Sequence, residues 1–180
     1  LPYYKSIDRE LCEEYDKARE HLNRALNVRR EFLGQTHTKT KETLEQLYSL
    51  NLVVGDFENK RVVCEEICRI DSISYGVTHV NALSSKLDLA FALEDVGRTA
   101  EALKLVTKVR EMNSKEGAEN IKFSNQIDRY LSWFLLQTGQ FDEAEIIAKK
   151  NFELASTRIE DSWFTASSKS YLAAALISQG

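Results

Sequence analysis

The chain has 180 residues, 43% of them hydrophobic and 29% charged, with a net charge of −4. That balance belongs to a folded chain and excludes a disordered one; the acidic sign and the lack of a basic stripe argue against a nucleic-acid surface. No apolar run approaches the roughly 18 residues that a membrane-spanning helix needs, and Leu1-Pro2-Tyr3-Tyr4 is not a leader peptide. The chain lacks an initiator Met, so it is expected to be a piece of something longer. Its single proline is Pro2, so a helical reading meets no internal proline break.

Two interleaved glycine series punctuate that reading. Gly55, Gly97 and Gly139 stand 42 residues apart, and Gly180 follows after 41. Gly34 and Gly76 are also 42 apart, and Gly117 follows after 41. Two series at one period mean two helices and two turns per unit. Glycine suits each turn because leaving one helix and starting another within a few residues needs a positive φ.

In chain order, the pattern predicts helices near 14–32 and 37–54, then 57–73 and 79–96. Four more follow near 99–113, 119–138, 141–157 and 162–179, with residues 1–11 read as an incomplete leading helix. The units are a partial first repeat contributing 12–33, repeats at 34–75, 76–117 and 118–159, and a further first helix at 160–180. Leu47, Leu89 and Leu131 recur eight residues before their glycines and read as core. The second helices carry apolar stripes: Val62, Val63, Ile67 and Ile70; Leu103, Val106 and Val109; Ile147, Ala148 and Phe152. Short Ala102 and Ala144 allow close helix approach, facing Ala90 and Ser132. Lys60 and Tyr48 hold the same slots in the preceding unit, which should loosen or shift its packing.

Cys12, Cys64 and Cys68 are too few and too sparse for a disulfide framework, and read as reduced thiols in a cytoplasmic setting. His37 and His79 fill one slot in successive turns, which marks them as structural. No phosphate loop, His-Glu-x-x-His or Gly-x-Ser-x-Gly motif is present. No catalytic residue, metal or cofactor is therefore expected.

Gly139-Gln140-Phe141-Asp142-Glu143-Ala144-Glu145 resembles the inter-helix turn of tetratricopeptide repeats. The 42-residue period and Leu33-Gly34-Gln35-Thr36-His37 resemble the kinesin-light-chain subtype. The resemblance covers roughly 12–180 and implies an all-α fold, a right-handed superhelical α-solenoid of tetratricopeptide-like helix–turn–helix repeats. It departs from the family in Thr99, which replaces an aromatic. The asparagine pair typical of the subtype's first helix appears here as Glu45-Gln46, Leu87-Asp88 and Arg129-Tyr130.

The resemblance also implies that first helices line a concave groove that binds a peptide or protein segment. Residues two past the core leucines lie about 200° around the helix, which nominates Ser49, Phe91 and Trp133. Their neighbours on that face are Glu45, Leu52, Ser84, Asp88, Glu94, Asp95, Gln126, Arg129 and Tyr130. Phe91 and Trp133 read either as apolar anchors or as core between repeats. The acids Glu45, Asp88, Glu94 and Asp95 would favour a basic peptide. An alternative is a sensor or oligomerisation segment of a larger protein, such as the repeat tail of a nucleotide-switch protein. It would self-associate through a C-terminal helix bearing Leu172, Leu176 and Ile177.

Overall fold

The computed structural model describes residues 9–115, 121–156 and 162–178. Among them are eight α-helices and no strand: α1 (Arg9–Leu33), α2 (Thr38–Val54), α3 (Phe57–Tyr75), α4 (Val80–Asp95), α5 (Thr99–Lys115), α6 (Ile121–Gln137), α7 (Phe141–Ser156) and α8 (Ser162–Ser178). These match the helices that the glycine series predicts. One difference is at the start, where α1 is already helical at Arg9, so residues 9–11 continue it instead of belonging to an earlier helix. Gly117, Gly180 and the side chain of Trp163 lie outside the described residues.

The turns explain why the helices end where they do. At Gly55, φ is +75° and the amide donates to Leu52 O at 3.3 Å, while Asp56 N reaches back to Asn51 O at 2.8 Å. This Schellman closure satisfies the last helical carbonyls, and the same pair of bonds recurs at Gly97 and Gly139. Gly76 terminates α3 differently, with φ 95° and ψ 151°, a region that is essentially glycine-only. His37 and His79 then start the next helices. Each Nδ1 accepts from the backbone two residues on, Lys39 N at 3.1 Å and Asn81 N at 3.2 Å, replacing an orphan helix-start partner.

The chain divides into two compact units, residues 1–85 and 86–180, the division falling within α4. In the first, α2 packs against both α1 and α3. Leu26, Leu44, Leu47, Ile67 and Ile70 form its core, flanked by Leu22, Tyr48 and Val63. Val62 is exposed, unlike its stripe neighbours Ile67 and Ile70. Ion pairs stitch the helices together: Arg19 meets Asp56 at 2.6 Å, Arg30 meets Glu66 at 2.5 Å, and Lys41 meets Asp71 at 2.6 Å. Burial alone would lower the Lys41 ammonium, but the hydrogen bond and charge of Asp71, with help from Glu45, hold it above its ordinary value. Asp56 caps α3, and hydrogen bonds from Asn59 and Arg19 hold its carboxyl below the usual range against the opposing effect of burial.

Lys60 does not loosen its repeat. It is 4% exposed, with Nζ 5.2 Å from the Tyr48 ring centroid. The two bulky departures sit together, so a cation on a ring fills space that small residues occupy in later units. Cys64 and Cys68 are buried, and the Cys68 thiol lies 2.8 Å from Ser85 O.

In the second unit α6 packs on α5, α7 and α8. Val106, Val109, Ile127, Leu131, Phe134, Leu135, Ala102 and Ala144 are buried there. Leu89 departs from the predicted core: it is half-buried, whereas Leu87 and Ala90 are fully buried. α4 is apolar at Leu83, Leu87, Leu89, Ala90, Phe91, Ala92 and Leu93, so its sequence does not distinguish the buried phase from its neighbour.

Candidate functional site

The residues nominated on the first helices fall into two groups. In the first unit, Glu45, Ser49 and Leu52 are exposed on α2 and Ser84 is half-buried on α4. Glu42, Glu45, Gln46 and Ser49 line one open depression. Lys39 meets Glu42 at 2.9 Å, and Lys41, which is paired with Asp71, also comes within 3.6 Å of Glu45. The Ser49 hydroxyl donates to Glu45 O at 3.0 Å, so it is turned back onto its own helix.

The second unit brings most of the others together. Phe91 on α4 meets Tyr130 on α6 edge-on, with centroids 4.7 Å apart and planes at 87°. Phe91 also leans on the buried Phe134 at 5.4 Å. The Trp133 indole donates to Glu94 Oε1 at 3.1 Å, and its ring lies 6.2 Å from that of Tyr171 on α8. Gln126 Nε2 donates to the Tyr130 hydroxyl at 3.1 Å, and the Arg129 guanidinium stands 5.1 Å from the Tyr130 ring centroid. Asp88 and Asp95 are exposed on α4.

Phe91, Tyr130, Trp133 and Tyr171 are all half-buried. Each ring makes a side-chain contact and stays partly exposed, so the choice between anchor and core that the sequence leaves open resolves to an intermediate. Edge-on and tilted pairs at these separations hold rings rigidly without covering them. Tyr171 was not nominated from the sequence, yet it stands 42 residues after Arg129, and the repeat register alone would have found it. Among the described residues no group of three or more His, Cys, Asp or Glu could hold a metal ion, and no helix is long and apolar enough to cross a membrane.

No protein-family model matches the chain, and no curated protein matches it. Solved structures do. A Podosopora anserina protein described as a kinesin light chain with nearly identical TPR-like repeats superposes at TM-score 0.74 with 20% identity. A single-substitution variant of it gives 0.76 and 19%. Each match covers 93% of this chain and 80% of the other. BtubC (BKLC) from P. vanneervenii matches at TM-score 0.74 with 14% identity, covering 96% of this chain and 69% of its own. By fold, the chain is an all-α array of tetratricopeptide-like helical repeats.

Proposed function

We propose that the chain is a non-catalytic protein-interaction scaffold that binds a peptide or protein segment along its first helices. The units at 34–75, 76–117 and 118–159 act as successive repeats of one array. The observation that carries this reading is the set of half-buried rings, Phe91, Tyr130, Trp133 and Tyr171, on α4, α6 and α8. Rigid aromatics with one open face are the side chains that dominate binding hot spots, because burying them gains much apolar area at little entropic cost. In the second unit Asp88, Asp95, Gln126 and Arg129 stand on the same helices as these rings, and in the first unit Glu45, Ser49, Leu52 and Ser84 are the candidate contacts. The partner is protein and not nucleic acid, given the net charge of −4. The three free cysteines fit a reducing, cytoplasmic setting.

Panning a randomised peptide display library on the full chain tests this. The expected result is an enriched set of peptides whose binding is lost in Trp133→Ala or Phe91→Ala and kept in Ile146→Ala, a change at an exposed apolar residue of α7. Failure to enrich any binder, or binding indifferent to Trp133 and Phe91, refutes the reading. A second reading, self-association through α8, is favoured by the exposure of Leu176 and Ile177, at 50% and 79%. It predicts a concentration-dependent mass in sedimentation that Ile177→Asp abolishes.

A further inference from the structure

Four carboxylates drawn partly out of water are each met by a cation from another helix. Asp56 has Arg19, Glu66 has Arg30, Asp71 has Lys41, and Asp128 has Arg110 at 2.7 Å. This is the expected arrangement, since a desolvated charge is costly without an opposite one. Glu94 is not paired in this way. It is half-buried on α4, and the group it faces is the neutral Trp133 indole, 3.1 Å away on α6. Among the described residues no cation pairs with it. An indole N–H satisfies one acceptor position of a carboxylate that has about four. It holds Glu94 in place without balancing its charge.

The surroundings suit a cation. The Trp133 ring, tilted at 59° to Tyr171, stands directly beside the carboxylate, and the face of an indole attracts ammonium and guanidinium groups most strongly of the aromatic rings. One helical turn away the same surface already carries such a contact, the Arg129 guanidinium over Tyr130 at 5.1 Å. Arginine is the better fit of the two basic side chains, being planar, weakly hydrated and able to stack while donating in its own plane. We infer that Glu94 and Trp133 form a seat for one arginine or lysine side chain of the bound segment. Its stem lies on the Trp133 ring, and its charged head hydrogen-bonds the Glu94 oxygen that the indole leaves free. Arg19, Arg30, Lys41 and Arg110 fill the equivalent need of other carboxylates from within the chain; at Glu94 the cation comes from the partner.

This inference rests on the proposed peptide-binding reading, and its test separates the two. Peptides recovered by display are sequenced, and each basic residue in turn is replaced by citrulline, which removes the charge and, at an arginine, keeps the shape. Affinities are then measured by titration calorimetry on the intact chain, on Glu94→Gln and on Trp133→Phe. The expected result is one position where citrulline weakens binding roughly tenfold on the intact chain and makes no difference on Glu94→Gln. Glu94→Gln keeps an acceptor for the indole, and far-UV circular dichroism checks its helicity. The substitution in the peptide tests the same contact with the protein unaltered. Peptides that bind through Phe91 and Trp133 but tolerate citrulline everywhere would overturn the seat and leave the scaffold reading standing. So would a citrulline penalty that persists undiminished in Glu94→Gln. If no peptide binds at all, the scaffold reading fails, and the seat with it.

Discussion

Replacing Asp71 by Asn should unbalance the first unit more than any single surface change. The Asp71 side chain is 3% exposed and that of Lys41 21%, with 2.6 Å between Nζ and Oδ1. Removing one member of a fully buried pair costs about 3–5 kcal/mol, because the other is left charged and dry. Lys41 keeps some water and has Glu45 at 3.6 Å, which places Asp71→Asn near about 2–3 kcal/mol. That corresponds to a drop of roughly 1 M in the urea midpoint for a chain of this size. Adding Lys41→Met should recover part of the loss, since the double change leaves no orphan charge. The pair also has a pH signature. Lys41 is raised in the folded chain, so its stabilisation is complete below the unfolded lysine value of about 10.4 and is lost as pH rises through the folded value. Urea unfolding followed by far-UV circular dichroism, at neutral pH and stepwise toward pH ~11, measures both. An Asp71→Asn chain as stable as the original would refute the reasoning, as would a double variant weaker than the single one.

Three further outcomes follow from the turns and caps. Gly97→Ala should cost about 1 kcal/mol: φ there is +77° and nothing lies within 4 Å of an added Cβ, so the penalty is purely backbone, and Gly97→Asn should cost less in the same urea melt. His79→Ala should cost about 1 kcal/mol by removing the acceptor for Asn81 N, with His79→Asn restoring most of it. Asp56, depressed in the folded chain, contributes stability that is full above about pH 4 and lost as pH falls through its lowered folded value. Melts of Asp56→Asn should therefore lose less stability on acidification than those of the unaltered chain.

The helix ends were legible because their cause is local. A positive φ at Gly55 or Gly97 asks for glycine wherever it occurs, so the residue type records the backbone directly. Core membership was less so. Leu47 and Leu131 are buried and Leu89 is not, because α4 is apolar on adjacent phases and packing, not pattern, selects between them. Lys60 read as a defect when taken alone. Its meaning depends on Tyr48, twelve residues earlier on another helix, and the pair is visible only when both side chains are placed. The buried carboxylates Asp71 and Asp128 were invisible for the same reason: charge in a sequence reads as solvated until a partner from another helix is found. On the candidate face the register nominated Phe91, Tyr130 and Trp133, which the structure brings together, and passed over Tyr171, which lies beside Trp133. It did not indicate that Glu42 and Glu45 have lysines of α2 nearby while Glu94 faces an indole.

The central claim is that a partner lies on the first helices, against Trp133. The chain has two tryptophans, Trp133 and Trp163. Labelling with 5-fluorotryptophan therefore gives two fluorine resonances, and that of Trp133 is identified by its loss in Trp133→Phe. Titrating a display-selected peptide should shift the Trp133 resonance in step with binding measured by calorimetry. A Trp133 resonance that stays fixed while the peptide is bound would place the partner elsewhere and contradict the account.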